Sequence, residues 1–143
     1  MNEAKKPVVY LTRRETFSAA HRLWAEHLSD ADNRALFGPC AYDHGHGHNY
    51  VLEVTLRGPV DPTTGILVNL KEIRDAMHEL IIGPVDHRHL NHDSALTRGI
   101  NPTAENLVVV FWDVLHRHFG KLLHRVRLRE TEKNWVTYGG ETQ

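Results

Sequence analysis

The chain has 143 residues, the length of one ordinary globular domain and enough to bury roughly 70% of the surface its unfolded form exposes. Hydrophobic residues at 41%, charged residues at 24% and a net charge of -1 exclude a disordered tail or a fibrous repeat, and give no basic field for nucleic acid. No apolar run nears the ~20 residues of a spanning helix, the segment MNEAKKPVVYL lacks a signal-peptide core, and one cysteine cannot make an internal disulfide. The expectation is a cytoplasmic protein without membrane or nucleic-acid partners, one domain over residues 1–143, with residues 1–7 flexible. The 12 histidines are the unusual count. Imidazole is the commonest metal ligand and the side chain whose ordinary pKa suits proton transfer near neutral pH.

Residues 8–21 are rich in β-branched and aromatic types and predict a strand. Residues 29–36 predict a short helix capped by Ser29, with Asp30 and Asp32 at its positive end and Gly38-Pro39 stopping it. From 48 to 57 the pattern alternates, with Tyr50, Leu52, Val54 and Leu56 on one face. Asp61-Pro62-Thr63-Thr64-Gly65 is a turn signal, and an apolar strand is expected over 66–69. Asn69 caps a helix over 70–82, with Leu70, Ile73, Met77, Leu80 and Ile81 as its stripe and Gly83-Pro84 as its end. A second helix is expected over 103–119, and two strands over 122–131 and 134–138. The sum is α+β: a four-stranded antiparallel sheet with two helices on one face. Its open edges, one near Arg125, Arg127 and Arg129, are a liability that pairing would remove.

The densest chemical signal is Cys40-Ala-Tyr-Asp-His44-Gly45-His46-Gly47-His48-Asn49. In an extended chain alternate residues point the same way, so His46 and His48 can share one ion. They have the parity of Tyr50 and Leu52 and therefore enter the protein. Zinc is the natural occupant, with three protein ligands and one open position in a catalytic site. His21, in line with Phe17 and Ala19, is the first choice for the third ligand, and His44 is its rival. An isolated H-x-H is also compatible with surface histidines. The inward parity, the intervening glycines and the nearby free thiol favour a site.

Three further groups are candidates. Asp86-His87, after the helix stop, can form a proton relay in which the carboxylate orients the imidazole; the same pair suits a polar loop. Cys40 is either an inert thiol or a base, and becomes a thiolate only beside a cation, a metal or a helix N-terminus. Glu130 is either an ion-pair partner of Arg127 or Arg129, or a bidentate acceptor for a guanidine-like N–H pair.

Phe17-Ser-Ala-Ala-His21-Arg-Leu, Cys40 with Gly45-His-Gly-His-Asn-Tyr50, Asp61-Pro-x-Thr-Gly65, Pro84-Val-Asp-His87, Pro102-Thr-Ala-Glu-Asn106 and Glu130-Thr131 occur in that order. Together they resemble the 6-pyruvoyl-tetrahydropterin synthase family, which includes the 6-carboxytetrahydropterin synthases, over about residues 13–141. The resemblance implies the tunnelling fold, in which sheets join by their edges into a β-barrel of trimers and then a homohexamer. It implies zinc on His21, His46 and His48, with His44 where the family often has Asn. It implies Cys40 as catalytic thiol, Asp86 and His87 as its partner dyad, and Glu130 as the anchor of the pterin ring. Thr103 and Glu105 match the pterin-pocket segment, with Ala104 where the family often has a second Thr.

The family's substrate is 7,8-dihydroneopterin triphosphate, and the implied reaction is a zinc-dependent lyase step that releases triphosphate and leaves 6-pyruvoyl-tetrahydropterin. Magnesium can accompany the triphosphate. The alternative is the carboxy-forming branch of queuosine biosynthesis, which also releases acetaldehyde. Five residues between Cys40 and His46 resemble the pyruvoyl branch; the carboxy branch typically has three. A non-catalytic zinc protein would instead saturate the metal with His44 or Cys40.

Overall fold

The computed structural model describes residues 4–143, so the expectation for residues 1–3 lies outside the described residues. Strand β1 (Val8–His21) pairs antiparallel with β2 (His46–Pro59) along the full length of both. The sheet begins at β3 (Arg88–His89) and continues past β1 and β2 through β4 (Leu123–Thr131) to β5 (Asn134–Tyr138), in the order β3-β1-β2-β4-β5. Strand β3 runs parallel to the free edge of β1, so the sheet has five strands and is mixed. That corrects the expected four-stranded antiparallel sheet. A two-residue strand has no periodicity to read; it exists because His87 and Leu90 give their backbone N–H to the carbonyls of Ser18 and Ala20.

Helix α1 (Asp30–Phe37) starts at Ser29, whose side chain accepts from the Asp32 N–H, and ends at Gly38, where φ is 55°. Helix α2 (Leu70–Met77) is capped by Asn69 and passes through a π-helical turn at His78–Ile82 into α3 (Gly83–Val85). Gly83-Pro84 therefore does not end the helical run. The π turn hands the Gly83 N–H to the His78 carbonyl and widens the coil, and Pro84, with no N–H to place, is tolerated there. Helix α4 (Ala104–Phe119) is capped by the Thr103 side chain. Helices α1, α2 and α4 are the principal ones and correspond to the helices expected over 29–36, 70–82 and 103–119.

The expected strand at 66–69 is absent. The Asp61 carboxylate accepts the N–H groups of Thr63 and Thr64, Asp61 and Ile66 close the turn, and Leu67 lies over Gly58 instead of pairing with a strand. The core forms where Tyr50, Leu52, Val54 and Leu56 meet Ile73, Met77, Ile81, Leu107, Phe111 and Leu115, all 0% exposed. Each such side chain contributes about 1.5–3 kcal/mol by leaving water. No helix among the described residues is long and apolar enough to cross a membrane.

Register is what the fold gives the site. Phe17 pairs with Tyr50, Ala19 with His48 and His21 with His46. A slip of one residue would turn Tyr50 and both histidines to the opposite face, so burial of the apolar row fixes the histidines too.

Candidate metal centre and active site

The three imidazoles converge. His46 Nε2 lies 3.3 Å from His21 Nε2 and 3.0 Å from His48 Nε2, and the three rings stand nearly perpendicular to one another. Three nitrogens held at 2.0–2.1 Å in a tetrahedral set would be about 3.3 Å apart, so the spacing fits a metal ion. His21 is 0% exposed, while His46 and His48 are half-buried and open the cluster on one side. His21 Nδ1 donates to the Pro102 carbonyl at 2.8 Å, which leaves the lone pair on Nε2, and the Tyr50 hydroxyl sits 3.4 Å from the same Nδ1. Burial holds His21 down to about 4 from its ordinary 6.5, and burial also lowers His48. Neutral imidazoles are what a metal requires. These three residues could hold a metal ion.

His44 is exposed and outside this cluster. Its parity with His46 is lost because Gly45 turns the chain at φ 69°, just before the strand begins. A Cβ at Gly45 would overlap the His21 carbonyl, so glycine is required there twice over.

Cys40 lies in the 3₁₀ turn Gly38–Ala41, half-buried, and its carbonyl accepts the Leu23 N–H at 2.8 Å, two residues beyond His21. Burial, then the Glu130 carboxylate, push its thiol above the usual range. Glu130 Oε1 is 3.6 Å from His48 Nε2. Of its two expected arginine partners, Arg127 faces Glu53 across β2 and β4 at 3.7 Å, and no ion pair joins Glu130 to Arg129 among the described residues. Glu130 also lines a cavity of about 380 Å³ with Thr103, Glu105, Leu23, Phe37 and Val136. Two carboxylates between apolar walls can accept N–H groups from a flat polar ring.

Asp86 Oδ1 accepts the Ser18 N–H at 2.9 Å and contacts His87 Nδ1 at 3.0 Å. The Ser18 bond, then His87, hold the Asp86 carboxyl below its ordinary range. His87 takes a left-handed backbone, φ 58°, and its side chain is 83% exposed. A non-glycine residue there is strained by about 1–2 kcal/mol. His87, Ser18, Asn49, Arg88 and His89 line a cavity of about 420 Å³ with His48. No hydrogen bond joins Cys40 Sγ to Asp86 or His87 among the described residues. The candidates thus form two groups that meet at His48.

Sequence reasoning missed the supports. Residues 22–25 leave β1 without a sheet partner; the Cys40 carbonyl takes the Leu23 N–H, and side-chain amides serve Arg22, Trp24 and Ala25. Asn91 holds both backbone groups of Arg22, Asn101 accepts the Trp24 N–H, and Asn33 holds both groups of Ala25. Three asparagines near unpatterned chain are a faint signal; a Pro102 carbonyl has none.

Against known families, residues 10–141 match the model for 6-pyruvoyl tetrahydropterin synthase. The chain is 45% identical over 139 residues to the 6-pyruvoyl tetrahydrobiopterin synthase of Drosophila melanogaster, covering 96% of this chain and 83% of that one. It is 42% identical over 132 residues to the human protein of the same name, covering 92% and 91%. The structure of Caenorhabditis elegans 6-pyruvoyl tetrahydropterin synthase superposes with a TM-score of 0.91 at 40% identity, over 97% of this chain and 100% of that one.

Proposed function

The chain belongs to the 6-pyruvoyl tetrahydropterin synthase family, and on that premise we propose that it converts 7,8-dihydroneopterin triphosphate to 6-pyruvoyl-tetrahydropterin, releasing triphosphate. The observation that carries this reading is the convergence of His21, His46 and His48 Nε2, with Glu130 against His48 and its charge reaching Cys40. Three imidazoles and no sulfur ligand suit zinc, which when bound would supply Lewis acidity at the substrate's side-chain oxygens.

The chain's own residues do the rest. Glu130 accepts the paired N–H groups of the pterin's amino-pyrimidine edge, with Thr103 and Glu105 on the same cavity wall. Cys40 takes the proton from the side-chain carbon. Burial first, and the Glu130 carboxylate second, raise the Cys40 thiol in the free chain; sharing the Glu130 charge with substrate N–H groups relieves only the smaller of the two. His87, oriented by Asp86, relays a proton while the ring is reduced at the expense of its own side chain. No external hydride is needed, because the ring gains the two electrons that the side chain loses.

His87 is largely exposed on the single chain, and a relay works best out of water. Joining copies through the open edges at β3 and β5, as in a homohexamer built on a barrel, would cover it. Incubating the zinc-loaded protein with 7,8-dihydroneopterin triphosphate should give a pyruvoyl pterin and triphosphate. A carboxy pterin with acetaldehyde, or no turnover, overturns the reading.

A further inference from the structure

We infer that Asn106, an exposed residue on the first turn of α4, is a positioning residue for the metal centre. The inference rests on the metal reading of His21, His46 and His48. The chain of contacts is short. Asn106 Nδ2 donates to the Asn101 carbonyl at 2.9 Å, and the Thr103 N–H donates to that same oxygen at 2.8 Å. Asn101 Oδ1 accepts the Trp24 N–H at 3.1 Å, three residues past His21. The peptide between these anchors carries the buried Pro102 carbonyl, which receives His21 Nδ1–H at 2.8 Å.

That carbonyl selects the tautomer and aims the ring. With the proton fixed on Nδ1, Nε2 keeps its lone pair for the metal, and hydrogen bonding behind a ligating imidazole raises its basicity. Pro102 has no N–H of its own, so the turn is held from outside, by Thr103 and Asn106 on one carbonyl and by Trp24 on one amide. Asn106 further anchors itself by giving its backbone N–H to the Thr103 Oγ1 cap at 3.1 Å. The turn also leads directly into Thr103 and Glu105, which line the cavity with Glu130. One turn therefore sets both the ligand and the pocket wall, and Asn106 reaches the metal without touching it.

The test uses the full chain, metal-free and zinc-loaded. Asn106→Ala deletes the donor; Asn106→Asp keeps the shape, loses the donor and adds negative charge where the helix N-terminus favours it. Because Asn106 is exposed, both variants should stay folded with urea midpoints close to that of wild type, Asn106→Asp having the higher of the two. Zinc affinity, read by competition with a chromophoric chelator, should fall about tenfold in both. In the metal-free proteins the His21 Nδ1–H proton resonance should shift and exchange faster than in wild type. Unchanged affinity with an unchanged resonance overturns the inference, as does a fall in urea midpoint that leaves the resonance in place. A wild type that binds no zinc defeats the metal reading instead, and the resonance of the metal-free proteins still decides the role of Asn106.

Discussion

Acid should unfold the metal-free protein through His21. Its ring is 0% exposed and burial holds its pKa to about 4, against an ordinary 6.5. Between those values the unfolded chain takes up a proton that the folded chain refuses, so stability is full above pH 6.5 and drains away as pH falls towards 4. The complete shift corresponds to about 3 kcal/mol; water reaching the half-buried His46 and His48 screens the cluster, and roughly 2 kcal/mol is the expectation by about pH 4.5. Urea unfolding of chelator-stripped wild type and of His21→Gln, each at about pH 7 and about pH 4.5, isolates the group, because every other titrating residue is common to both. Wild type should lose that amount more than the variant. What the variant still loses includes His48 and His89, both lowered by burial. Equal losses in the two proteins would refute a buried neutral His21.

Three further perturbations probe the same centre. Cys40→Ala should reduce turnover by a hundredfold or more (~10²–10⁴) while metal analysis finds zinc retained, and full activity would remove Cys40 from the chemistry. His48→Ala should lose zinc to a chelator that wild type resists; an unchanged zinc content breaks the ligand assignment. Gly45→Ala sets a side chain at φ 69° and against the His21 carbonyl, so it should lower the thermal midpoint by at least ~1–2 kcal/mol equivalent and weaken zinc together. A Gly45→Ala protein with wild-type zinc affinity would mean that the backbone there yields without moving His21.

What the sequence made legible follows from which forces have a period. Strand β1 was readable from its β-branched and aromatic residues, and the face of β2 carrying His46, His48 and Tyr50 from the alternation of its sequence, whose parity aims the imidazoles inward even though Val51 and Thr55 on the other face are buried too. Helices α1 and α2 were readable through Ser29 and Asn69, whose side chains cap them, and α4 through its run of apolar residues. Illegible parts are those held by single tertiary bonds. Strand β3 depends on two carbonyls of β1, the passage through Gly83-Pro84 on a π turn, and the irregular run at 66–69 on the Asp61 turn.

The site straddles that division, and this bears on how it works. Its ligands lie on the most regular pair of strands, whose register fixes their spacing, whereas Cys40, Asp86 and Thr103 lie on turns, and Glu105 on the first turn of α4, that amides and carbonyls tie back to β1. A metal needs three nitrogens at fixed separation, which a sheet supplies. Proton transfer and ring recognition need groups that approach from several directions, which a sheet cannot supply, since its side chains stand in two parallel ranks. Asn33, Asn91 and Asn101 join the two: each satisfies backbone groups beyond His21 with a side chain and thereby holds the turns at the end of the strand. Chemistry-bearing turns on a rigid scaffold are the expected division of labour, and here the amides are the joints.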